Sequence, residues 1–230
     1  MTGPAATGSA GNWPSPNFGE RRGGLRPSLV VIHYTAMASC AEARDRLCDP
    51  AAEVSAHWLL SESGAVEALV PEEARAWHAG AGEWAGLADV NSRSVGIELA
   101  NRGDHPFPEP QMRALEGLLG GILARWSIPP QGVIAHSDMA PGRKTDPGPR
   151  FDWRRLAAQG LAVWPGAGTP GDFRADALRF GYPPVADDLL LAAFRLRFRP
   201  WASGPLAPKD AALAADLAAR FPVDGVGPDA

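Results

Sequence analysis

Lysine is almost absent from this chain. It occurs only at positions 144 and 209, so nearly all of the 22 basic residues are arginine. Against 26 acidic residues they leave a formal charge of −4, which argues against a general nucleic-acid binder while leaving a local basic patch open. Cysteine is scarce too. Cys40 and Cys48 bound the helical stretch CAEARDRLC, where eight residues of helix hold them about 12 Å apart. That is too far for a disulfide unless the helix breaks, and both read as small, partly buried residues. No run reaches the ~20 apolar residues of a membrane-spanning helix. The opening MTGPAATGSAGNWPSPNFG has neither a basic n-region nor an apolar h-region. The expectation is a cytoplasmic protein, with the periplasm as the alternative. Internal repeats, coiled-coil heptads, a P-loop and a dinucleotide glycine fingerprint are all lacking.

What is present suits a globular chain: 45% hydrophobic and 21% charged over 230 residues, enough for one sizeable core and a small appended module. Residues 1–27, rich in Gly, Pro, Ser and Asn, read as a loosely held arm. SLVVIHYTA (28–36) is a buried strand. CAEARDRLC is a helix stopped at Asp49-Pro50. VSAHWLLSESGAVEALV (54–70) is a hairpin, AWHAGAGEWAG (76–86) a Gly-rich loop and SVGIELAN (94–101) a further strand. Residues 109–126 place Met112, Leu115, Leu118, Leu119, Ile122, Leu123 and Trp126 at helical spacing. GVIAH (132–136) is a strand ending in His136, and DWRRLAAQGL a closing helix. Strands alternating with helices predict an α/β fold with a mixed central sheet flanked by helices. The expected division is 28–163 for that domain, 164–172 for a linker and 173–222 for a small three-helix module.

The stretch QGVIAHSDMAPGRKTDPGPRFDW (131–153) concentrates the chemistry. His136, Asp146 and, from the other strand end, His33 make a plausible three-ligand zinc set with a fourth place for water. Zinc brings the pKa of its water to about 7. Glu98, between apolar neighbours in GIELAN, is the candidate for proton transfer, since a carboxylate within a buried strand is costly unless paired or functional. The bland alternative for it is an ion pair with Arg93 or Arg102. Lys144 is either an oxyanion stabiliser or a solvated loop charge. Asp138 orients an imidazole or forms a turn, and the turn is favoured. His57 and His78 are rival ligands, better read as lining a cleft. His105 reads as an exposed loop residue.

Taken in order, VVIHYTA, VSAHWLLSESG, AWHAG, SVGIELAN and AHSDMAPGRKTDPGPRFDW resemble the type-2 N-acetylmuramoyl-L-alanine amidases (the AmpD/AmiD branch) over about residues 13–162. The resemblance implies the mixed sheet shared with T7 lysozyme and the peptidoglycan recognition proteins. It also implies hydrolysis of the amide between the lactyl group of (anhydro-)N-acetylmuramic acid and L-alanine of the stem peptide. By motif it makes His33, His136 and Asp146 the ligands of one zinc ion per chain, Glu98 the catalytic acid/base and Lys144 the group on the scissile carbonyl. His57, Trp77, His78, Asn101 and Arg102 fall in cleft-lining motifs. The tail looks like a three-helix peptidoglycan-binding module, though Phe194-Arg195 and GPLAPKD depart from its usual motifs.

The expected partner is therefore a muropeptide or peptidoglycan, in muropeptide recycling or wall turnover, with no nucleic acid and no membrane span. Oligomeric state stays open. Two other readings remain at this point: a non-catalytic muropeptide-binding protein of the same fold, and a zinc peptidase acting within the stem peptide.

Overall fold

The structure, a computed structural model, describes residues 11–223. The expected arm falls partly outside that range, at residues 1–10. In chain order the elements are β1 (Gly11–Asn12), β2 (Phe18–Gly19), β3 (Leu29–Tyr34), α1 (Cys40–Cys48), β4 (Trp58–Leu60), β5 (Val66–Ala68) and β6 (Arg75–Ala76). Then come α2 (Val90–Arg93), β7 (Ser94–Leu99), α3 (Glu109–Trp126), β8 (Val133–Ala135), α4 (His136–Met139) and α5 (Trp153–Ala158). The tail adds α6 (Phe173–Phe180), α7 (Asp187–Phe198) and α8 (Pro208–Arg220).

The described chain divides into two compact units, one of residues 11–78 and 91–128, the other of 79–90 and 129–223. The three tail helices share a unit with β8 and α4.

In the first unit five strands pair in the order β1-β5-β4-β7-β3. All pairings but the β4–β5 hairpin are parallel. The hairpin turns at Ser61–Gly64, where Gly64 adopts φ +86° and a side chain would strike the Pro110 carbonyl at 2.7 Å. β3 and β7 are buried almost throughout, as their near-continuous apolar runs require. On one side, Cys40, Ala43 and Leu47 of α1 pack with Leu59, Leu69 and Ala100. α1 starts at Ser39, whose hydroxyl accepts the Glu42 amide at 3.2 Å. α3 buries Met112, Leu115, Leu119, Ile122 and Leu123, five of the seven positions its periodicity marks, while Leu118 and Trp126 are half-buried. Its buried Gln111 amide donates to the Leu60 and Ala100 carbonyls, each at 3.0 Å, fixing the helix to the ends of two strands.

The expected loose arm is tied down from Gly11 onward. β1 joins the sheet beside β5, and β2 pairs with β6. The Ser15 hydroxyl donates to Leu47, and the Asn17 amide to Asp49 and Val54 carbonyls. Polar side chains of the expected arm act here as backbone clamps. Both cysteines are free thiols, and burial pushes Cys40 up to about 11.

In the second unit the tail encloses an aromatic core of Phe173, Phe180, Tyr182, Phe194 and Phe198. Trp84 packs edge-on against Phe180 and Tyr182. Among the described residues no helix is long and apolar enough to cross a membrane.

Candidate metal centre

His33 sits near the end of β3, opposite Glu98 of β7 in parallel register. The face that carries His33 also carries Ser94, Gly96 and Glu98, because alternate strand residues share a face. His78 lies over Gly96, where a Cβ would meet its ring at 2.4 Å, so the glycine makes room for the imidazole. Its Nδ1 is 3.0 Å from His33 Nε2 and its Nε2 3.1 Å from the Ser94 hydroxyl. One proton assignment satisfies both contacts while leaving the His33 lone pair on Nδ1. In it His33 donates from Nε2 to His78, and His78 donates to Ser94.

His136 does not end its strand. It opens the single turn α4, directly after β8. The following loop folds back so that the Asp146 carbonyl accepts the Ser137 amide at 3.0 Å. That return sets Asp146 Oδ2 3.0 Å from His136 Nδ1, while His136 Nε2 lies 2.8 Å from the Ala79 carbonyl. A neutral imidazole has one N–H, yet His136 meets an acceptor at each nitrogen. Placing the proton on Nε2, donated to Ala79, leaves the Nδ1 lone pair facing the carboxylate, as two ligands of one metal ion would be. The Arg143 guanidinium donates to the same Ala79 carbonyl at 2.6 Å and to the Ala81 carbonyl. Nothing in the spacing of the sequence singled out Arg143 or Ser94.

His33, His136 and Asp146, all buried, each offer one ligand atom, and these atoms lie within 4.8 Å of one another. Two imidazoles and a carboxylate are a donor set that suits zinc, and three protein ligands leave a position for water.

The remaining expected residues take varied places. Glu98 is half-buried in β7, and Lys144 half-buried in the loop between the turn α4 and Asp146. Trp77 is half-buried, its backbone paired with Ser55. Arg102 is exposed and pairs with Asp104 at 3.5 Å. Asn101 is buried and braces its own loop, accepting the Gly103 amide at 2.7 Å. His57 is fully buried. Its Nδ1 accepts the Gly96 amide at 2.9 Å, and its Nε2 faces the Ala74 carbonyl at 3.1 Å. Desolvation lowers it to about 4, with the nearby Arg21 adding to the effect, so it is neutral. His57 thus holds backbone, where a cleft-lining contact was expected. Asp138 forms the turn favoured for it, accepting the Ala135 amide at 2.9 Å, and is in addition completely buried and paired with Arg197 at 2.6 Å.

Residues 23–149 match the family model described as N-acetylmuramoyl-L-alanine amidase. The N-acetylmuramoyl-L-alanine amidase AmiD of Escherichia coli is 37% identical over 216 residues, 76% of each chain. The 1,6-anhydro-N-acetylmuramyl-L-alanine amidase AmpD of Citrobacter freundii is 33% identical over 63% of this chain and 87% of its own length. A solved structure of Escherichia coli AmiD, in complex with anhydro-N-acetylmuramic acid-L-Ala-D-gamma-Glu-L-Lys, superposes with a TM-score of 0.77 at 34% identity. It covers 85% of this chain and 90% of that one.

Proposed function

The chain belongs to the N-acetylmuramoyl-L-alanine amidase family, and from that premise we propose that it hydrolyses the amide between the lactyl group of N-acetylmuramic acid and the L-alanine of a stem peptide. The observation that carries this reading is the buried donor set His33, His136 and Asp146, with His136 meeting acceptors at both ring nitrogens. These three residues would hold one zinc ion. Bound zinc would polarise the scissile carbonyl and lower the pKa of water to about 7.

The chain's own residues do the rest. Glu98 takes a proton from the attacking water and returns it to the departing L-alanine nitrogen. Lys144 steadies the negative charge that develops on the carbonyl oxygen. His78 and Ser94 hold His33 in its ligating tautomer, and the Ala79 carbonyl does the same for His136. Trp77 and Arg102 are the proposed contacts to substrate, and Asn101 shapes the loop that carries Arg102. The relative bound to anhydro-N-acetylmuramic acid-L-Ala-D-gamma-Glu-L-Lys supports an anhydro-muropeptide as the substrate, and hence muropeptide recycling as the role.

The test is mass spectrometry of products from a mixed pool of anhydro- and ordinary muropeptides, with and without a zinc chelator. Chelator-sensitive release of an intact stem peptide beginning with L-alanine is the expected result. Consumption of the anhydro form first would support recycling, whereas equal or preferred consumption of ordinary muropeptides would favour wall turnover. Cleavage inside the stem peptide would replace the amidase with a peptidase. Tight binding without cleavage by zinc-loaded protein would leave a recognition protein.

A further inference from the structure

The corner that carries His136 is gripped from the tail. Asp138, two residues on, uses both carboxylate oxygens. Oδ2 accepts the Ala135 amide at 2.9 Å and Arg197 Nη1 at 2.6 Å, and Oδ1 accepts the Tyr182 hydroxyl at 2.7 Å. Arg197 Nη2 donates to the Val133 carbonyl at 3.1 Å. Its guanidinium also lies over the Trp153 ring, 4.2 Å from the centroid. The side chains of both Asp138 and Arg197 are 0% exposed. One arginine of α7 therefore holds the chain before His136, at Val133, and after it, at Asp138.

A four-residue turn cannot fix its own geometry, because every backbone group in it lies within reach of a helix end. A metal ligand must nonetheless be placed to within about 0.5 Å. We propose that Arg197 and Tyr182 are positioning residues for His136, acting through Asp138 and Val133, so that the tail helices are a working part of the metal centre. This rests on the reading of His136 as a zinc ligand.

The tail supplies its own control. Arg195, on the same helix, pairs with Asp210 at 2.6 Å, and the Asp210 side chain is 0% exposed. The other acceptors of the Arg195 side chain are the Gly204 and Pro205 carbonyls, both in the tail. Loss of Arg197 removes the cation paired with buried Asp138, whereas Asp210 keeps Arg199 at 2.7 Å when Arg195 is lost, and only Arg197 reaches the His136 corner.

The experiment measures zinc dissociation from the full chain by competition with a fluorescent chelator, alongside the thermal midpoint of the zinc-free protein. Arg197→Met is expected to weaken zinc retention about tenfold or more. Tyr182→Phe, which removes one hydroxyl and strands no charge, is expected to weaken it about threefold. Arg195→Met is expected to lower the zinc-free midpoint and leave zinc retention at the wild-type value. Wild-type retention in both Arg197→Met and Tyr182→Phe, or an equal loss in Arg195→Met, overturns the proposal. If Arg197→Met fails to fold, Tyr182→Phe decides it. A wild-type chain that binds no zinc would instead overturn the ligand assignment on which it rests.

Discussion

His33 and Glu98 are register partners on adjacent parallel strands, so their side chains leave the sheet on the same face. Parallel pairing makes this relationship a property of the backbone, independent of any loop. It gives the proposed proton carrier a fixed place beside the proposed ligand.

Replacing Glu98 with Gln keeps the shape and removes the proton carrier. Turnover is expected to fall by about 10²–10⁴, with zinc content unchanged by metal analysis. Lys144→Ala is expected to lower kcat by about 10²–10³, again with zinc retained. Near-wild-type turnover in either variant would remove that residue from its role.

His78 acts behind the metal centre, between His33 and Ser94. His78→Ala should weaken zinc binding by about 10–100-fold, the usual cost of losing a group that orients a ligand. Ser94→Ala, one step further out, should cost less. Chelator competition ranks the two, and a larger effect from Ser94 would reverse the proposed direction of the chain.

The strands and helices were legible because burial imposes a period. β3 and β7 read as unbroken apolar runs, and α3 runs over the 18 residues its spacing marks. The motif residues His33, His136 and Asp146 were legible through resemblance, and the structure gathers them. What stayed hidden were partners set by tertiary approach. Arg197 reads as one charge on an amphipathic helix, yet it is buried against Asp138, 59 residues away. Asp138 was legible as a turn former, and it does cap its own turn; only its distant partners were not. His57 looked like a cleft residue because its motif lies near the others, and only the backbone groups on both sides of its ring show otherwise.

His57 should make stability depend on pH. Burial lowers it from 6.5 to about 4, so between those values the unfolded chain binds a proton that the native chain does not. Stability therefore falls as pH drops from 6.5 towards 4, by about 3 kcal/mol for this group, and its contribution is level below that. Urea unfolding at pH 7 and pH 4.5 checks it. His57→Gln should shrink the difference between the two pH values, and an unchanged difference would assign the slope to other groups.

Glu72 is the polar hub of the first unit, and its loss should be felt as stability. Its carboxylate accepts Trp58 Nε1 at 2.8 Å, Arg125 Nε and Nη2 at 3.0 and 2.8 Å, and Trp126 Nε1 at 2.5 Å. β4, the end of α3 and the loop after β5 thus meet on one side chain. Desolvation alone would raise this carboxyl, but the bonds from Arg125, Trp126 and Trp58 outweigh it and hold it below 4.5. Its stabilisation is therefore present above the unfolded value and lost as pH falls through the folded one. Glu72→Ala removes the acceptor for two indoles and a guanidinium, and should cost about 2–4 kcal/mol. Half-exposed Arg125 can turn to water, which keeps the loss below the sum of the separate bonds. Glu72→Gln retains an acceptor without the charge and should cost about half as much. Denaturant midpoints of the two variants, compared with wild type at neutral pH, test that order. Equal midpoints for the two variants would mean that the neutral acceptor contributes nothing and the charge everything.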